Sequence, residues 1–226
     1  MNGILYIVST PIGNLGDFSF RAVEILSSVD LIATEDTRQT NKLLRHYSIE
    51  TKMISYHEWN EIERALELCE LIKDGKKIAL VTDAGTPCIS DPGFRIVREA
   101  QKQQLAVYTI PGACAVISAL SISGLPSDHF FFEGFLPKKK GRKTRLDFLK
   151  TIDASIVLYE SPHRILKTLK DINSFLGNRY VSISRELTKK FEEVETRKVE
   201  ELIQKYDEKK AKGEFVIVIA KKAFDL

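Results

Sequence analysis

The feature that most constrains this chain is an alternation running from end to end, in which short apolar, β-branched runs are separated by amphipathic stretches of helical spacing. Strands separated by helices pair in parallel through crossovers, so this rhythm predicts α/β architecture with mostly parallel sheets. Strands are expected at 4–9, 31–34, 78–82 and 105–110, and again at 130–135, 155–159, 180–184, 193–197 and 215–220. A first helix is expected from Asp17 as N-cap, turning Phe18, Ala22, Val23, Ile25, Leu26 and Val29 inward. A second, over 61–73, is expected to bury Ile62, Ala65, Leu66, Cys69 and Ile72. Asp91-Pro92 reads as the start of a third, through Gln103, because proline suits the first helical position. A small-residue helix follows over 113–123, and another over 162–176 between Ser161 and Gly177, with Ile165, Leu166, Leu169 and Ile172 on one face. The pattern restarts after Pro111-Gly112, which divides the chain into two α/β domains, 1–112 and 113–226.

The longest apolar runs in the 226 residues are strand-sized, and the N-terminus passes straight into a strand with no basic leader, so no membrane span and a cytoplasmic location are expected. Cys69, Cys88 and Cys114 are odd in number and widely spaced, which points to buried free thiols rather than disulfides or a metal site. The net charge of +3 conceals a concentration. Lys138, Lys139, Lys140, Arg142, Lys143 and Arg145 lie within eight residues; without those six, 28 basic residues face 31 acidic ones. Such a patch suits a polyanion, or is a solvated loop.

Candidate chemistry sits in loops that follow strands, where ligands bind in open α/β sheets. There is no Gly-x-Gly-x-x-Gly after the first strand, no Walker loop and no His-Glu-x-x-His, which disfavours the common nucleotide folds and zinc proteases. Instead, Ser9 to Asp17 combines a proline with two glycines, a composition that a capped turn explains as well as a ligand does. Thr82 to Gly93 carries two prolines, two glycines and Asp83 and Asp91, more special residues than a turn requires. Pro111-Gly112-Ala113 leaves room either for a planar ring or for close helix packing. Tyr159-Glu160-Ser161-Pro162-His163-Arg164 ends a strand on an ionisable cluster, in which Glu160 and His163 are acid or base candidates and Arg164 is a phosphate candidate.

In this order, residues 9–17, Thr34-Glu35-Asp36-Thr37-Arg38, residues 83–93, 111–113 and 159–164 resemble the tetrapyrrole methylase superfamily, and within it the ribosomal RNA small subunit methyltransferase I family, over nearly the whole chain. The resemblance implies two α/β domains with S-adenosylmethionine in the cleft between them, a homodimer, and 2′-O-methylation of a cytidine in the decoding region of 16S rRNA, free or within the 30S subunit. It places the cofactor on Pro11, Asp83, Gly85, Thr86, Pro111, Ala113 and Tyr159. Glu160 and Asp36 are the candidates for proton handling, and Arg38, Arg164 and the six basic residues of 138–145 for RNA; Arg185 and Lys189 are further cations. No metal is called for. A precorrin-type methylase shares the fold but has no phosphate backbone to neutralise, and a non-catalytic ribosome assembly factor is the remaining alternative.

Overall fold

Five strands, β1 (Ile4–Val8), β2 (Leu31–Thr34), β3 (Met53–Ser55), β4 (Lys77–Val81) and β5 (Ala106–Ile110), form an all-parallel sheet in the order β3-β2-β4-β1-β5. This computed structural model describes residues 3–208 and 211–226, which fall into two units, Met1–Cys114 and Ala115–Leu226. The apolar run of β4 follows from burial on both faces, as parallel sheets require. Ile78 and Leu80 pack with Ala65, Leu68, Cys69, Ile72, Ile96 and Ala100, contributed by α3 (Glu61–Lys73) and α4 (Phe94–Lys102). Ala79 and Val81 point the other way, onto Ala22 and Leu26 of α1 (Phe20–Ser28) and Leu43 and Leu44 of α2 (Thr37–His46).

The helix starts differ from expectation in ways that capping explains. Asp17 ends a short 3₁₀ turn, Leu15–Asp17, and α1 is capped instead by Ser19, whose Oγ accepts from the Ala22 amide at 3.1 Å. Helix α3 has the expected bounds, but its buried stripe is Ala65, Leu68, Cys69 and Ile72, while Ile62 and Leu66 are exposed. Those four positions are spaced i, i+3, i+4, i+7, one step around from the predicted face. Helix α4 begins after Gly93, two residues past Asp91-Pro92, with φ of +142° at that glycine. The sequence reading had no place for α2, which is polar overall, or for β3, which is too short to show a period.

The second unit holds β6 (Phe130–Phe135), β7 (Ser155–Glu160), β8 (Tyr180–Arg185), β9 (Glu193–Lys198) and β10 (Phe215–Ile219) in the order β6-β7-β10-β8-β9. Only β6 and β7 are parallel; β10 runs antiparallel to both β7 and β8, and β8 to β9. The expectation of mostly parallel sheets therefore fails here. Residues 186–192 join β8 to β9 and are too few for a crossover, so that pair must form as a hairpin. Helices α6 (Arg142–Leu149), α7 (Ile165–Leu176) and α8 (Val199–Glu208) cover one face around Leu158, Ile183 and Ile217, and α5 (Ala115–Ile122) packs on β10 and β7.

Helix α7 starts at Ile165 rather than at Pro162, and no side chain caps it; Thr168 takes a place on its buried face, Leu166 is half-buried, and Gly177 (φ +91°) ends it. Cys69 is buried as expected, whereas Cys88 and Cys114 are half-buried; none of the three is in a disulfide. Among the described residues no helix is long and apolar enough to cross a membrane, and no cluster of His, Cys, Asp or Glu could hold a metal ion.

Candidate functional site

In the parallel sheet, the loops after β1, β2, β4 and β5 emerge at the carboxyl ends of the strands and are tied to one another. Thr10 and Gly85 exchange backbone hydrogen bonds at 2.8 and 3.1 Å, and the Thr10 hydroxyl donates to the Thr82 carbonyl at 3.1 Å. Ser9 Oγ and Thr86 Oγ1 are 2.9 Å apart, and Thr86 Oγ1 donates to the Ala113 carbonyl at 3.1 Å. A Cβ on Gly112 would lie 2.9 Å from Ser9 Cβ, so only glycine lets the β5 loop come this close to β1. At Gly85 (φ +89°) a Cβ would meet only Ile12 at 3.4 Å and the Ala113 carbonyl at 3.9 Å. The predicted positions Gly85, Thr86 and Ala113 are thereby joined around the start of the Pro11 loop.

A cavity of about 420 Å³ opens beside these loops, lined by Glu35, Glu58, Glu61, Cys88, Ser90, Asp91, Pro92, Gly93 and Phe94. Its acids are crowded. Burial, reinforced by Glu35, pushes Asp91 up to about 6, and burial also raises Glu35 and Asp83. Thr82 Oγ1 donates to Glu35 at 3.2 Å, and the Asp36 amide donates to Asp83 at 3.1 Å. Cys88 and Ser90 hold left-handed backbone (φ +73° and +65°), a conformation that non-glycine residues adopt at a cost and that recurs at binding loops. A Cβ on Gly93 would meet Cys88 Sγ at 2.6 Å, which explains the glycine.

Asp36 does something other than the proton handling expected of it. It is the N-cap of α2, accepting from the Arg38 amide at 2.8 Å, and its carboxylate also takes Arg38 Nε at 3.1 Å and Nη2 at 2.7 Å. The Arg38 hydrogen bonds hold its pKa down to about 2, which makes it a weak base. Arg38 itself is exposed.

In the second unit, the end of β7 carries a buried polar network. Glu160 is 2% exposed; one oxygen accepts the Ser161 amide at 2.8 Å and lies 3.3 Å from Arg164 Nε, and the other accepts the Thr168 hydroxyl at 2.5 Å. Thr168 in turn accepts from Arg142 Nη2 at 2.8 Å, while Arg142 Nε donates to Asp171 at 2.7 Å. The two guanidiniums also fix the chain that precedes α6, Arg164 donating to the Leu136 carbonyl at 2.5 Å and Arg142 to the Pro137 carbonyl at 3.1 Å.

Residues 4–203 match the family of Tetrapyrrole (Corrin/Porphyrin) Methylases. The chain is 50% identical over 220 residues to the ribosomal RNA small subunit methyltransferase I of Vibrio cholerae serotype O1, covering 96% of this chain and 76% of that one. It is 46% identical to the protein of the same name from Thermotoga maritima, covering 97% and 99%. The chain belongs to the ribosomal RNA small subunit methyltransferase I family, within the tetrapyrrole methylases. The fold is shared with a solved structure: the crystal structure of a diphthine synthase superposes with a TM-score of 0.76 at 15% identity, over 99% of this chain and 91% of that one.

Within this family member, the basic stretch is not one feature but two. Arg142 is buried on Asp171 and Thr168, and Arg145 is paired with Glu133 at 2.5 Å, its guanidinium over the Phe148 ring. Neither is an unpaired surface cation, a correction to the expectation that all six basic residues face RNA, and the reason is that on α6 both come within reach of acids, Asp171 and Glu133, whereas Lys143 on the same helix does not. Lys138, Lys139, Lys140 and Lys143 are exposed. Arg164, too, is engaged by Glu160 and the Leu136 carbonyl. Tyr159 belongs to the second unit, where its ring packs on Phe132 and Phe135. Arg185 is paired with Glu193, and Lys189 with Glu186 and Glu214. Sequence reasoning took Asp91 for a helix cap and so missed it as a cavity acid; its place in a loop with more acids and prolines than a turn needs was the available signal.

Proposed function

We propose that this chain transfers the methyl group of S-adenosylmethionine to the ribose 2′-oxygen of a cytidine in the decoding region of 16S rRNA. Identity of 50% across 96% of the chain with a ribosomal RNA small subunit methyltransferase I carries the reading. Pro11, Asp83, Gly85, Thr86, Pro111 and Ala113 are the residues of the first unit that would hold the cofactor. They fit such a group: a Cβ at Gly85 would reach no more than Ile12 and the Ala113 carbonyl, so the backbone there is closely approachable, and the neighbouring carboxylates suit a sulfonium and an ammonium. When bound, S-adenosylmethionine supplies an electrophilic methyl carbon.

The chain's own contribution is to hold the acceptor oxygen in line and to exclude water. Asp91, pushed up by burial to about 6, is suited to taking a proton near neutrality, whereas Asp36 is held by Arg38 and Glu160 by Arg164 and Thr168. Of the cations named for RNA, the four exposed lysines are unpaired and open to phosphate, whereas Arg38, though exposed, is paired with Asp36. Action as a homodimer in the bacterial cytoplasm, on rRNA within or outside the 30S particle, belongs to the same reading.

The test is to incubate the purified protein with radiolabelled S-adenosylmethionine and 30S subunits lacking their native 2′-O-methyl groups, then to map the label by nuclease digestion and mass spectrometry. Label on one cytidine ribose is the expected result. Cofactor binding without transfer to either 30S or free 16S rRNA sinks the reading in favour of a tetrapyrrole substrate, and absence of cofactor binding favours an assembly factor.

A further inference from the structure

Strand β6 departs from regular pairing. Phe130, Phe131 and Phe132 pair with Ser155, Ile156 and Val157 of β7, but Gly134 and Phe135 then pair with Leu158 and Tyr159, leaving Glu133 as an extra residue. Gly134 is left-handed (φ +73°), a backbone state that glycine adopts without strain and that one class of bulge uses. Bulges are uncommon between parallel strands, and their effect is to re-aim side chains.

The re-aiming here is specific. Phe132 and Phe135 are three apart, so a regular strand would send them to opposite faces. With Glu133 absorbed by the bulge, both reach the ring of Tyr159, at centroid distances of 5.2 and 5.6 Å. Phe135 stays 55% exposed even so. The extra residue is itself anchored: Glu133 accepts from Arg145 Nε at 2.6 Å.

The chain just beyond Phe135 is equally fixed. Leu136 is buried, its carbonyl accepts from Arg164, and the Pro137 carbonyl accepts from Arg142. Lys138, Lys139 and Lys140 follow, all exposed. An exposed aromatic ring on a braced strand end, three residues from a run of cations, is the combination that binds single-stranded nucleic acid: bases stack on the ring and phosphates meet the charges.

We infer that Phe135 is a stacking platform for an unpaired base of the RNA substrate, with Lys138, Lys139 and Lys140 neutralising the adjoining phosphates. The inference rests on the RNA reading above. It assigns the two parts different energetics. The ring gives affinity that is insensitive to salt and requires an unpaired base, whereas the lysines give affinity that falls with salt.

The experiment measures binding of a fluorescein-labelled single-stranded oligoribonucleotide, and of the same sequence as a duplex, by anisotropy over a series of salt concentrations on the full chain. Phe135→Ala and Phe135→Leu are expected to weaken single-strand binding roughly 5- to 100-fold with the salt slope unchanged, and Phe135→Tyr and Phe135→Trp to retain it. Duplex binding should not respond to any of the four. Replacing the three lysines together by glutamine should lower the salt slope by about 2. S-adenosylmethionine binding, followed by calorimetry, should be the same in the lysine variant as in wild type. If wild-type protein binds the single strand and Phe135→Ala binds it equally well, or loses single strand and duplex in equal measure, the platform is overturned while the RNA reading stands. If wild-type protein binds the cofactor but neither RNA, both fall.

Discussion

The strand ends of the two sheets carry opposite chemistry. At the parallel sheet, Glu35, Asp83 and Asp91 crowd together with their pKa values pushed up, and the loops that hold them are joined by neutral hydroxyl and amide hydrogen bonds. At the end of β7, Glu160 and Asp171 each face a guanidinium, and the surplus lysines are displaced to the surface. Paired charges at the second site brace a scaffold, whereas under-compensated acids at the first keep a reserve of electrostatic free energy that a cationic ligand can release. The difference teaches that a charged residue in a motif is a site residue mainly where its own fold leaves it unpaired.

The largest effect should come from the braced site. Glu160→Ala removes the counter-charge of Arg164 and the acceptor of Thr168, and should cost about 3 kcal/mol in urea unfolding, since a buried pair broken on one side leaves an uncompensated charge. Activity retained by the surviving folded fraction would mark Glu160 as a brace; loss of turnover with little loss of stability would break the comparison.

Gly112→Ala comes next. Its Cβ meets Ser9 Cβ at 2.9 Å, so the β1 and β5 loops must part, at about 1–3 kcal/mol and with weaker S-adenosylmethionine binding by calorimetry. Unchanged affinity would separate those loops from the cofactor.

Asp91→Asn should do the reverse and stabilise. With a folded pKa of about 6 against an unfolded 3.8, native Asp91 binds the more protons between those values, so its contribution is complete below pH 3.8 and is lost as pH rises through 6. Above that, replacing the carboxylate by an amide should raise stability by about 1–2 kcal/mol after allowance for solvent screening, and the wild-type decline from pH 4 to 6 should flatten. A stability–pH curve identical to wild type would show that the acids are not crowded.

The smallest effect is expected at Lys143→Gln, within about 0.5 kcal/mol of wild type, because the side chain is exposed. Its neighbour Arg142, buried on Asp171, supplies the contrast in the same assay. Similar costs at the two positions would erase the division of the basic stretch.

The alternation of apolar runs with amphipathic stretches determined the α/β class and most strand positions, because burial on a sheet writes itself into local composition. The loops that follow β1, β4 and β5 were legible through glycine and proline, whose backbone limits are local properties. Capping was less so: Asp17 and Ser19 are both capable residues, and only packing of Leu26 and Ala22 into the core chose between them. Strand direction in the second sheet was not written in any single strand, since pairing partners are fixed by chain connections and not by composition. Nor could six neighbouring basic residues be sorted by sequence. Arg142 and Arg145 found Asp171 and Glu133, 29 and 12 residues away, and it is the fold that brings those partners within reach and leaves the lysines exposed. The sequence thus determined which residue types each loop holds; the tertiary structure decided which of their charges remain unpaired, because charge compensation depends on distance in space.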